Sequence, residues 1–133
     1  MSNYLEQVTL LYVEDSLAIR EILSARLRKK VKHLIVAEDG EAGLAMYLEH
    51  KPDMILTDVT MPKMDGIEMS RKIKEVDSYI PIIILSAHND STYLLEAIEM
   101  GISGYLLKPV DRDKMSIQLE TYARTVVLDK VNK

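Results

Sequence analysis

Met54-Ile55-Leu56-Thr57-Asp58 is an apolar run that ends on a carboxylate. Its length suits one strand, and its lack of polar alternation suits a strand covered on both faces. An unpaired carboxylate at the end of a buried strand is costly, so Asp58 needs partners. Candidates stand at the ends of the other apolar runs. Glu14-Asp15 follows Val8-Thr9-Leu10-Leu11-Tyr12-Val13, Ser86 follows Ile82-Ile83-Ile84-Leu85, and Lys108 follows Tyr105-Leu106-Leu107. In an open parallel sheet the carboxyl ends of the strands border one crevice, where ligands bind. Carboxylates from Glu14, Asp15 and Asp58, the Ser86 hydroxyl and the Lys108 ammonium would meet there. That set suits a divalent cation together with a phosphoryl group.

Outward from this run, apolar stretches at 8–13, 34–37, 54–57, 82–85 and 105–107 alternate with segments of helical pattern. Leu94, Ala97, Ile98 and Gly101 follow i, i+3, i+4, i+7 spacing, and Ile19, Ile22, Leu23 and Leu27 nearly repeat it. The punctuation agrees. Ser16 caps the first helix and Asp90 or Ser91 the fourth, which Gly101 closes in a left-handed turn. Asp39-Gly40 opens the second helix, Lys51-Pro52-Asp53 stops it, and Asp65-Gly66 marks a turn after Asp58. Strict alternation implies right-handed crossovers and a doubly wound (βα)5 sandwich of three layers, α/β/α.

The chain of 133 residues fits a single domain, 1–133, with its core at about 9–127. The last segment, from Asp111 to about Lys130, sets Leu119, Tyr122, Ala123, Val126 and Val127 on one face. It reads either as a long final helix with a frayed, charged end, or as a helix whose residues 125–133 begin a linker to a second domain.

Composition narrows the function. Phe and Trp are absent, so the core is built from aliphatic residues, Met and Tyr. A net charge of −4 argues against direct nucleic-acid binding. Without cysteine there is no disulfide, thiolate metal site or catalytic thiol. The first residues lack the basic end and apolar core of a signal peptide, and the apolar runs fall well short of the ~20 residues that span a bilayer. A soluble, cytoplasmic protein without a membrane partner is expected.

Four stretches taken together closely resemble the receiver (response-regulator, CheY-like) domains of two-component signalling. They are Tyr12-Val13-Glu14-Asp15, the run Ile55 to Gly66 that reads ILTDVTMPKMDG, Leu85-Ser86-Ala87, and Gly101 with Gly104-Tyr105-Leu106-Leu107-Lys108-Pro109. The resemblance covers about Thr9 to Val127. It implies a flavodoxin-like parallel sheet of five strands in the order 2-1-3-4-5. Glu14 stands where Asp is commoner in the family, and Ser86 where Thr is frequent.

The resemblance also implies roles. Asp58 is the phosphoacceptor, taking a phosphoryl group from a phosphohistidine of a sensor histidine kinase or phosphotransfer protein. Mg²⁺ is the cofactor, with Asp15 and Asp58 as side-chain ligands, Thr60 through its backbone carbonyl and Glu14 through water. Lys108 neutralises a phosphoryl oxygen. Ser86 and Tyr105 form the switch that alters the surface of the fourth helix, fifth strand and fifth helix, where an output domain or effector docks. The Lys108-Pro109 bond is expected to be cis. Such a protein catalyses only its own phosphotransfer and autodephosphorylation, and is a monomer or a phosphorylation-promoted dimer.

Other residues leave the reading open. His33 and His50 sit near helix ends, where the dipole explains them. His88 reads as an exposed loop residue or, with Thr60, as a control on water reaching the acyl phosphate. Tyr93, Leu95 and Met100 lie off the expected core stripe and are candidate partner contacts. Three competing functions fit less well, and the second of them is rejected. A haloacid-dehalogenase-type phosphatase wants an Asp two positions after the nucleophile, where Thr60 stands. A flavodoxin needs a less acidic turn than Glu14-Asp15-Ser16-Leu17 to hold an anionic cofactor. A phosphorylation-independent interaction module would keep only the fold.

Overall fold

A computed structural model describes residues 4–87 and 91–131. After a short 3-10 turn at Leu5–Gln7, strands and helices alternate strictly: β1 Thr9–Val13, α1 Leu17–Arg28, β2 His33–Ala37, α2 Gly40–His50, β3 Met54–Asp58, α3 Gly66–Val76, β4 Ile82–Ser86, α4 Ser91–Met100, β5 Gly104–Leu107 and α5 Arg112–Val131. The five strands form one sheet in the order β2-β1-β3-β4-β5, and every pairing is parallel. Register aligns Val13 with Thr57, Asp58 with Leu85, and Ser86 with Leu107, so the carboxyl ends of the central strands share one rim.

The sheet has a core on each face. Leu10, Tyr12, Leu56, Ile83 and Leu106 pack under α1 and α5 with Leu27, Met115 and Leu119. Leu11, Val13, Ile55, Ile82 and Ile84 pack on the other side with Tyr47, Ile67, Met69, Ile73 and Ala97. Strands β3 and β4 are buried throughout, which explains why their sequences show no polar alternation. Among the described residues no helix is long and apolar enough to cross a membrane.

The caps follow the sequence. Ser16 Oγ accepts from Ile19 N at 3.4 Å, Asp39 Oδ1 from Ala42 N at 2.7 Å, and Asp65 Oδ1 from Glu68 N at 2.8 Å. Gly101 takes φ +82° after α4, the left-handed turn its position predicts. The cap expected at Asp90 or Ser91, and His88, lie outside the residues and side chains described.

Two helical faces differ from the expected stripes. On α1, Ile19 and Ile22 are 46% and 59% exposed, while Leu23, Ser24 and Leu27 are buried. On α4, Ala97 is buried with Tyr93 and Met100 packed on the second core, whereas Ile98 is 61% exposed. The spacing 93, 97, 100 is as helical as 94, 97, 98, 101. Periodicity marks an apolar face, and the sheet decides which face it covers. Tyr93 and Met100 are therefore core contacts, and Leu95 alone of that trio is strongly exposed.

Helix α5 is continuous to Val131, with Tyr122, Val126 and Val127 packed on the first core. Gln118 Nε2 donates to the Tyr105 carbonyl at 3.3 Å, and the Tyr122 hydroxyl donates to that of Ser103. Near its end, Lys130 Nζ lies 2.6 Å from Asp53 Oδ1, and Asp53 Oδ2 accepts from Thr9 N at 2.8 Å.

Candidate functional site

The rim receives one acidic element from each of β1 and β3. Glu14 continues β1, its N–H donating to the Ala37 carbonyl at 3.1 Å, and Asp58 is the last residue of β3. The side chains of Glu14, Asp15 and Asp58 each offer an oxygen within 4.8 Å of the others. Glu14 is 1% exposed and Asp58 6%, whereas Asp15 is exposed. From the end of β5, Lys108 Nζ reaches Asp58 Oδ2 at 2.7 Å and Glu14 Oε1 at 3.6 Å.

Backbone donors fix the two buried carboxylates. Val59 N–H donates to Asp58 Oδ1 at 2.9 Å, and Ser16 N–H to Glu14 Oε2 at 3.2 Å. Beneath Asp58 the chain is tightly folded. Gly66 N–H donates to the Val59 carbonyl at 2.7 Å, and a Cβ on Gly66 would stand 2.0 Å from the Asp58 carbonyl oxygen. Only glycine admits this approach of α3 to the end of β3.

The electrostatics are those of a crowded acidic pocket. Burial, joined by Asp58, pushes the Glu14 carboxyl up to about 7 against the opposing pull of the Ser16 N–H and Lys108. Burial disfavours the Lys108 ammonium, yet its contacts with Asp58 and Glu14 raise it above the ordinary lysine value. Glu14 Oε1 has no hydrogen-bond partner among the described residues. A buried carboxylate oxygen with no close hydrogen bond, only Lys108 at 3.6 Å, beside two further carboxylates makes a hard, anionic oxygen donor set, which fits a small divalent cation.

The other predicted residues take their places around this centre. Ser86 is fully buried at the end of β4, its hydroxyl donating to the Ala87 carbonyl at 3.2 Å. Tyr105 on β5 is half-buried against the second core. Thr60 is exposed, two residues beyond Asp58. The Lys108-Pro109 bond is cis. His33 and His50 are exposed at the start of β2 and the end of α2, away from this rim.

Sequence reasoning missed Arg20. Its Nη1 donates to the Glu14 carbonyl at 2.9 Å and to the Asp15 carbonyl at 3.4 Å. The available signal was a cation in the first turn of α1, where acidic residues are favoured and none is present.

Residues 10–120 match the model of the response regulator receiver domain. The chain is 33% identical over 107 residues to the chemotaxis protein CheY of Bacillus subtilis, covering 80% of this chain and 89% of that protein. It is 35% identical over 116 residues to the transcriptional regulatory protein AfsQ1 of Streptomyces coelicolor, covering 87% of this chain but only 51% of the regulator. The chain thus spans about half the length of that relative. The crystal structure of a response regulator receiver domain protein from Clostridium thermocellum superposes with a TM-score of 0.84 at 27% identity, covering 90% of this chain and 97% of the other. An acidic rim closed by a lysine, on a 2-1-3-4-5 sheet whose sequence matches over most of its length, places the chain in the response regulator receiver domain family of two-component signalling.

Proposed function

We propose that this chain is a phosphorylation-dependent switch in which Asp58 accepts a phosphoryl group from a phosphohistidine of a sensor kinase or phosphotransfer protein. The observation that carries this reading is Lys108 Nζ at 2.7 Å from Asp58, with Glu14 and Asp15 oxygens in the same cluster. An Asp58 carboxylate oxygen forms the new O–P bond as the P–N bond to the donor imidazole breaks. The electron pair of that bond leaves with the imidazole nitrogen, and the product is an acyl phosphate. Such transfers depend mainly on positioning and charge neutralisation. The Val59 N–H holds one Asp58 oxygen in place, and the Lys108 ammonium stands ready to pair with a phosphoryl oxygen. Asp15, Asp58 and the Thr60 carbonyl would hold Mg²⁺, with Glu14 acting through water; the bound cation supplies neutralisation of the phosphoryl oxygens.

Output follows from the new acceptor oxygens on Asp58. The Ser86 hydroxyl turns from Ala87 toward one of them, Tyr105 moves inward, and the face made by α4, β5 and α5 changes. Leu95, Ile98 and Leu107 are exposed apolar residues on that face, available to an effector or an output domain. On the donor side, Ile19, Ile22, Pro109 and Val110 line a cleft of about 510 Å³ that Glu14 and Lys108 also border. An apolar floor continuous with the acidic pocket supports docking of the phosphodonor there. The protein acts in the cytoplasm as a monomer or a phosphorylation-promoted dimer, without contacting nucleic acid or membrane through this chain. It catalyses only its own phosphotransfer and dephosphorylation.

Incubation with acetyl phosphate and Mg²⁺, read by intact mass, tests the proposal. One phosphoryl group is expected on the protein and none on Asp58→Asn. Addition at another residue, or none in the wild type under any Mg²⁺ concentration, would leave only an interaction module of the same fold.

A further inference from the structure

We propose that Arg20 is a positioning residue of the cation site, clamping the Glu14-Asp15 backbone so that both carboxylates face Asp58. The inference rests on the functional reading above and names a residue that reading does not use.

Arg20 stands where a cation is locally unfavourable. Its N–H bonds to the Ser16 carbonyl at 2.8 Å, so it completes the first turn of α1. The amino end of a helix carries partial positive charge, and a cation there is unfavourable by about 0.3–1 kcal/mol. No acidic residue lies within that turn, although Glu14 and Asp15 just before it attract a cation. The side chain instead folds back over the start of the helix and gives one nitrogen to two consecutive carbonyls, those of Glu14 and Asp15. The side chain is half-buried there, with the bond to Glu14 partly covered and the bond to Asp15 exposed. Places where a local preference is broken in favour of one specific contact are commonly functional.

The two acidic residues depend on this contact unequally. Glu14 is held independently, by burial, by the Ser16 N–H and by Lys108. Asp15 is exposed, and among the described residues no hydrogen bond or ion pair holds its carboxylate. The direction of its Cα–Cβ bond, and so the space its carboxylate can sweep, is set by the peptide planes on either side of it. Pinning the carbonyls of residues 14 and 15 fixes those planes. Groups that orient metal ligands in this way typically change affinity 10–100-fold when removed.

The sign of the effect separates positioning from charge. Removing a positive charge close to a cation site strengthens cation binding if the field alone matters. Loss of a clamp weakens it. In Arg20→Gln, Mg²⁺ titration followed by amide chemical shifts on the full chain is expected to show binding about tenfold weaker. Arg20→Lys keeps the cation but not the geometry of the guanidinium, and an intermediate loss is expected. It also preserves the test if Arg20→Gln folds poorly, which thermal denaturation monitors. Unchanged or tighter Mg²⁺ binding in the folded variants overturns the proposal.

A metal-free measurement stands beside the titration. Hydrogen exchange at the amides of Asp15, Ser16 and Leu17 should accelerate in Arg20→Gln while β3 amides do not change. If the wild type takes up no Mg²⁺, the functional reading fails. Exchange then still decides the clamp, and an unaltered rate at these three amides sinks it.

Discussion

Glu14 makes the chemistry of the site visible in the stability of the fold. Its carboxyl is raised from an ordinary 4.5 to about 7, so the folded protein keeps a proton that the unfolded chain releases. Stability is therefore greatest below the unfolded value, falls as pH rises from about 4.5 toward 7, and levels off above it. The loss through this group is about 3 kcal/mol. Urea unfolding across pH 5 to 8 should show this decline, and Glu14→Gln should flatten it and be the more stable protein at pH 8. Lys108 acts in the opposite sense. Lys108→Met leaves Asp58 and Glu14 uncompensated and should cost about 1–3 kcal/mol at pH 8, less at pH 6 where Glu14 is largely protonated. At this scale the sequence is legible wherever a polar residue closes an apolar run, as Glu14, Asp58, Ser86 and Lys108 do. Arg20 was hidden because it acts through backbone carbonyls, whose partners follow no side-chain pattern.

Elements are legible in position and less so in rotation. Each strand lies within a residue or two of its apolar run, and the caps at Ser16, Asp39 and Asp65 start their helices. The buried faces of α1 and α4 differ from the periodic stripes because apolar residues occupy more of each helix than the sheet can cover. Ile22 and Leu27 measure that difference. Ile22→Ser should change stability by less than about 0.5 kcal/mol, whereas Leu27→Ala should lose about 2–5 kcal/mol by chemical denaturation. If Ile22 instead serves the phosphodonor, its substitution should slow phosphotransfer from a kinase while leaving acetyl phosphate as good a donor as before. The contact of α3 with β3 allows no such latitude. In Gly66→Ala a Cβ would meet the Asp58 carbonyl at 2.0 Å, so backbone must move. A loss above about 2 kcal/mol is expected, with a displaced Asp58 amide resonance.

Across the whole molecule, a ligand that binds only the folded state stabilises it in proportion to the logarithm of its concentration. Mg²⁺ should therefore raise the melting temperature, a chelator should reverse the rise, and the effect should be larger at pH 8 than at pH 6, since Glu14 must ionise to favour the cation. Asp58→Asn should shrink the shift. The sheet order was the least legible property from pattern alone. Alternating strands and helices permit several orders, and only the resemblance to receivers selected 2-1-3-4-5. The open sheet also leaves β2 as an outer strand, with Leu34, Ile35 and Val36 only half covered. Its unpaired peptide groups are a template on which another chain can stack. Exposed Lys29, Lys30 and Lys32 lie in the turn that leads into that strand, so two copies pairing there would bring like charges closer together. Resistance to aggregation thus depends on a few lysines remote from the phosphate chemistry.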